Sequence, residues 1–229
     1  MTRYRKFEFQ LQDRPLGSDQ AGPSITGTGG KCIVTEAGGQ KYLTLYDADG
    51  GALTNPISLT AGRGVFYTLD TIESVDIFIL TGEGYSVQLW GVKADALHQV
   101  PVDRGNLHQM LVVPISIADQ VTDATAVATG FTLIAGMVFL PFPMVKIDTV
   151  DAAITVDVGI TGDEDGFISA ASTASAVVVT DTNGTLVAST AVYIATAVAL
   201  KWTFLTAADT ATLYAYLPYM LVKPDTPTI

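Results

Sequence analysis

Apolar and polar residues alternate with period two through much of the chain. Between Arg5 and Gln12, Phe7, Phe9 and Leu11 alternate with Glu8, Gln10 and Gln12. That spacing gives one apolar and one polar face, which predicts a β-strand. Asp13 to Gly30 is rich in Gly, Pro, Ser and Asp and predicts a loop or extended tether. Strands are then predicted at Lys31–Glu36, Gln40–Tyr46, Ala52–Leu59, Arg63–Leu69, Ser74–Leu80 and Tyr85–Val92. The Asp47-Ala48-Asp49-Gly50-Gly51 step marks a hairpin, because glycine accepts the positive φ of a tight turn.

The second half repeats the pattern at greater length. Strands are predicted at Met110–Ile117, Phe131–Leu140, Met144–Val150, Ile154–Val158, Ala176–Thr180, Thr185–Ser189, Val192–Ala197, Leu200–Leu205 and Thr210–Val222. Pro114 marks its strand as a sheet edge, since proline cannot donate to a ladder. The alternation of the last strand is expected to break at Pro218. Asp181-Thr182-Asn183-Gly184 is a second hairpin signal. No amphipathic helical stripe of three turns is visible.

The predicted fold is all-β: two β-sandwich or jelly-roll-like domains behind an extended N-terminal arm. The expected boundaries are an arm, first strand and tether over 1–30, a small sandwich or barrel over 31–99 and a linker over 100–108. A larger jelly-roll-like sandwich over 109–224 and a tail over 225–229 follow. The linker, Val100-Pro101-Val102-Asp103-Arg104-Gly105-Asn106-Leu107-His108, has a proline, a glycine and no period of its own.

Composition narrows the chemistry. Charged residues make up 15% of the chain, and the net charge is -11. A nucleic-acid backbone calls for a basic surface, so no direct nucleic-acid contact is expected. Arg3, Arg5, Lys6 and Arg14 concentrate basic charge at the front. From Gln109 onward the only basic residues are Lys146, Lys201 and Lys223. Cys32 is the single cysteine, which rules out an intrachain disulfide and reads as a small core residue. No apolar stretch of a signal peptide follows the first charges, so Sec secretion is not expected. Ala124 to Val145 carries no charge, but Gly130, Gly136, Pro141 and Pro143 interrupt it. Buried strands are expected there and no membrane span.

Candidate chemistry is sparse. A hydrolytic triad needs a base beside a nucleophile, and the only histidines, His98 and His108, flank the linker. Ser86 lies in Gly84-Tyr85-Ser86-Val87-Gln88, which lacks the second glycine of a nucleophile elbow. Gly27-Thr28-Gly29-Gly30 lacks the spacing of a dinucleotide fingerprint. Asp163, Glu164 and Asp165, flanked by glycines, read as a solvated turn, with a cation site as the alternative. No catalytic residue, metal site or cofactor is expected.

Thr155-Val156-Asp157-Val158-Gly159, then Gly162-Asp163-Glu164-Asp165-Gly166-Phe167, then an alanine-rich strand series, resemble a phrase in virion proteins of tailed bacteriophages. With the arm-and-β layout, the chain resembles capsid cement or decoration proteins and head fibres. That resemblance implies a non-enzymatic structural protein on the virion surface, a homotrimer bound to the major capsid protein. It implies shell contact through Arg3, Arg5, Lys6, Phe7, Phe9 and Arg14, with Phe7 and Phe9 equally readable as core of the first module. Tyr214, Tyr216 and Tyr219 are the expected subunit interface. The chain departs from the family layout in the β-module from Lys31 to Lys93, which leaves open which end touches the shell. The alternative is a host- or carbohydrate-binding module of a fibre or tail, using exposed aromatics such as Trp90 or Tyr219.

Overall fold

The computed structural model describes residues 3–13, 29–102, 108–120, 125–150, 155–174, 178–179, 184, 187, 190–205 and 210–222. Arg14, residues 103–107 of the expected linker, most of the Asn183-Gly184 hairpin and the tail lie outside them. The fold is all-β, and the described residues form four sheets that make sandwich-like units.

The first unit runs from β1 (Tyr4–Asp13) through β2 (Gly30–Glu36), β3 (Leu45–Tyr46), β4 (Ala52–Leu53), β5 (Ile57–Ser58), β6 (Arg63–Leu69), β7 (Ser74–Thr81) and β8 (Ser86–Lys93) to β9 (Leu97–Val102). One sheet has the order β4-β3-β6-β1-β9 and the other β5-β2-β7-β8. Strand β1 is an interior strand, antiparallel to β6 and parallel to β9. The expectation of an extended arm is therefore corrected for residues 4–13. The alternation that predicts the strand puts Phe7, Phe9 and Leu11 on one buried face, while the interior place comes from pairing along both edges. Phe9 lies opposite Gly64, where a Cβ would sit 2.3 Å from the ring, so glycine makes room for the aromatic. Val100–Val102, expected in the linker, complete β9.

In the first hairpin, Asp47 accepts the amides of Asp49 (3.0 Å) and Gly51 (2.7 Å) on one carboxylate oxygen, with Gly50 at φ +82°. The aspartate stabilises its own turn.

The second unit holds β10 (His108–Ser116), a short 3-10 turn (Ile117–Asp119), β11 (Val127–Leu133), β12 (Met137–Phe139), β13 (Met144–Thr149) and β14 (Thr155–Ile160). It continues with β15 (Asp163–Ser172), β16 (Val178–Val179), β17 (Val192–Tyr193), β18 (Val198–Phe204) and β19 (Thr212–Leu221). A four-stranded sheet has the order β11-β18-β14-β15. The larger sheet is built on β19, with β10 along one side and β13 and β12 in tandem along the other. Strands β16 and β17 extend it beyond β13 and β12.

Two expectations for this unit change. Pro218 does not break β19: Leu213, Ala215, Leu217, Tyr219 and Leu221 stay buried in unbroken alternation. The Pro218 carbonyl accepts Leu140 N at 2.9 Å, on the side where β13 hands over to β12. Amide and carbonyl of one strand residue point the same way, so the missing donor faces the handover between β13 and β12, and the pairing of β19 with β10 runs on past Pro218. Asp163, Glu164 and Asp165 do not form the turn; they open β15, and the turn is Thr161-Gly162 with Gly162 at φ +91°.

Pro114 lies in β10, which among the described residues pairs with β19 alone, as an edge strand should. Residues 125–145 form strands and turns, and no helix among the described residues is long and apolar enough to cross a membrane.

Candidate binding surface at the seam between the units

Among the described residues no strand pairing joins the two units; side chains do. Burying aromatic area while satisfying each polar atom is what holds such a contact. The Tyr219 hydroxyl donates to the Gly84 carbonyl at 2.6 Å, linking β19 to the β7–β8 turn. Gly84, at φ +87°, lies under Ile134 and Leu221, each 2.9 Å from where its Cβ would be. Gly130, at φ +83° in β11, presses on Pro56, whose Cγ lies 2.2 Å from a Cβ there. These small residues let the two units approach to backbone distance.

Along the same seam, residues 39–42 of the first unit are gripped from the second. Tyr214 donates to the Gly39 carbonyl at 3.3 Å, Gln40 donates to Asp148, and the Tyr42 amide donates to Asp119 at 3.1 Å. Gln109 accepts the Ser86 amide at 3.4 Å, and Gln88 donates to the Met110 carbonyl at 3.1 Å. The aromatic contact is a cluster of Phe78, Trp90 and Tyr214, with ring centroids 5.2, 5.9 and 5.7 Å apart.

Electrostatics follow burial. Desolvation raises Asp119 to about 6, opposed by the Tyr42 amide and then by Lys41. Burial, then Asp76 and Asp148, push the Tyr214 hydroxyl above its usual range, and burial does the same to Tyr219. Asp157 is raised by burial and by nearby Asp165, while its carboxylate accepts the Ala170 amide at 2.6 Å. Burial pushes the Cys32 thiol far up, which makes it an unreactive core side chain.

The residues expected at the shell contact part company. Phe7, stacked on Phe66, and Phe9 are core of the first unit, both 0% exposed, and are corrected as contact residues because nothing outside reaches them. Lys6 and Arg63 both pair with Glu8 and hold its carboxyl below the usual range, Lys6 first. Arg3 is exposed and Arg5 half-buried.

Two of the three tyrosines, Tyr214 and Tyr219, meet the first unit within one chain. Tyr214 and Tyr219 are 3% and 0% exposed, so neither is open to a second copy, and Tyr216 is half-buried. Gln40, Tyr42, Asp119 and Asp148 were not anticipated. Their partners lie 77 to 108 residues away, and no local pattern marks such pairs.

Glu164 lies 3.7 Å from Lys201, and Asp165 accepts Ser169 at 3.2 Å. Among the described residues no three metal-binding side chains cluster.

No family model matches this chain, and no curated protein matches it. Two crystal structures of the major pilin subunit BcpA of Bacillus cereus, one a point variant, are similar at TM-score 0.19 and 8% identity. The likeness covers 98% and 99% of this chain and 60% and 61% of the pilin chains, so this chain spans less than two thirds of their length. A likeness that remote carries no argument. The chain is defined by its fold: an all-β protein of paired sandwich-like units.

Proposed function

We propose that this chain is a non-enzymatic virion protein that binds the outside of a tailed-phage capsid as a cement or decoration protein and stabilises the shell. The single observation that carries the reading is the seam. A clamp on a shell must pass load from one contact to the next, and the contacts Tyr219–Gly84, Gln40–Asp148 and Gly130 against Pro56 supply a link between the two sandwiches for it. The phrase from Thr155 to Phe167 supports the same assignment by resemblance.

A protein that binds only the assembled shell stabilises it by mass action, and a homotrimer gains avidity from simultaneous contacts. Arg3 and Arg5, at the accessible end of β1, are the basic side chains assigned to the major capsid protein. Tyr214 and Tyr219 have no part in the trimer contact, since the seam occupies them.

The test is cosedimentation of the full chain with purified tailed-phage heads, together with its solution mass. Saturable binding by a trimer, weakened in an Arg3→Glu/Arg5→Glu variant, is expected. A monomer that leaves heads unbound contradicts the proposal.

A further inference from the structure

We propose that the outer face of the larger sheet is the surface by which copies of this chain meet. This rests on the self-association in the capsid reading and not on shell binding: that reading sets the copy number at three, and the face sets where the copies touch. Residues directly opposite each other in an antiparallel pair share a face. On the side of β19 turned away from the core of the second unit, Tyr193, Val138 and Met220 therefore form one row, and Met144 and Tyr216 another, with Met110 between them. Tyr193 is 58% exposed and the other five are half-buried.

A sheet face open to water carries polar side chains. The first unit follows that rule, with Lys6, Glu8, Gln10 and Arg63 on the outer face of β1 and β6. The same positions of the larger sheet carry aromatic and aliphatic groups, including three of the five methionines of the chain. Methionine and tyrosine adapt well to a second surface.

Charge selects the occupant. Strands β10, β12, β17 and β19 contain no Asp, Glu, Lys or Arg. Lys146 and Asp148 of β13 lie 2.9 Å apart and cancel. A strongly charged partner finds no counter-charge here. The chain itself carries -11, so two copies repel over most of their surface and approach best where that charge is missing. An apolar face also matches itself without further design. Four strand positions by the run from Tyr214 to Met220 give roughly 450 Å² per copy, which puts a pair near the low end for a specific contact. The association is therefore weak enough to depend on concentration.

The test is sedimentation velocity of the full chain across a dilution series, with methionine methyl NMR of the wild type as a second measurement. Expected is assembly into a multiple of 24.1 kDa, about tenfold weaker or worse in Tyr193→Glu/Met220→Glu. Leu97→Glu, at an exposed position of β9, should assemble as wild type. If the double variant fails to fold, the wild-type spectrum still decides. On dilution the methyl signals of Met110, Met144 and Met220 should move while that of Met137, 0% exposed, stays in place. Assembly that breaks in the double variant upholds this contact even if the chain ignores phage heads, which would remove the capsid reading alone. A wild type that stays monomeric, a folded double variant that assembles undiminished, or three methyl signals that do not move overturns the proposal.

Discussion

The hydroxyl of Tyr219 donates to the carbonyl of Gly84 across 135 residues of sequence, at 2.6 Å and out of contact with water. The Tyr219 ring belongs to the second unit, 5.3 Å from Phe139. Its oxygen therefore reaches out of one sandwich to close the turn of the other.

Removing that oxygen leaves a buried carbonyl without this donor. Tyr219→Phe should lower stability by about 1–2 kcal/mol, read from the urea midpoint at unchanged slope. An unaltered midpoint means that the bond does not hold the seam.

Two glycines separate backbone strain from seam contact. Gly162 and Gly130 both have φ near +90°, but a Cβ at Gly162 meets nothing while one at Gly130 strikes Pro56. Gly162→Ala should cost about 1 kcal/mol and Gly130→Ala about 2–3 kcal/mol, since only the second also forces the units apart. Equal losses in thermal or urea unfolding would show that Pro56 yields without cost.

Asp119 gives the seam a pH dependence. Its carboxyl is raised from 3.8 to about 6 in the folded chain. The folded state therefore holds its proton more tightly, and the contribution to stability is full below about pH 4 and lost as pH rises through 6. Asp119→Asn keeps an acceptor for the Tyr42 amide without the charge. It should be about 1–2 kcal/mol more stable than wild type at pH 7.5, after allowance for partial exposure, with the gain gone at pH 3.5. Paired urea titrations at the two pH values check it. A gain that is the same at both would remove Asp119 as the titrating group.

Much of the strand layout was legible because a half-buried strand must alternate. Arg63–Leu69 reads at its true ends, and Pro114 at an edge follows from its missing donor. The same alternation placed Phe7 and Phe9 on one face of a strand, but only the β6 and β9 partners show that both sides of β1 are paired. Pro218 misled because its missing donor faces the handover between β12 and β13, which is made by residues some eighty positions earlier. The tyrosines of β19 read as an interface row. Their partners, Gly39, Phe78 and Gly84, lie in the other half of the chain, and no periodicity distinguishes a seam inside one chain from a contact between copies.

Each unit carries its own buried reporter: Cys32 in the first and Trp202 in the second, both 0% exposed. In a Trp90→Phe background, tryptophan emission follows Trp202 alone, while thiol labelling follows Cys32. If the seam makes one cooperative body, both signals should change at the same urea concentration with the same slope. Cys32 becoming reactive while Trp202 is still native, or the reverse, would contradict a seam that joins the two sandwiches into one unit.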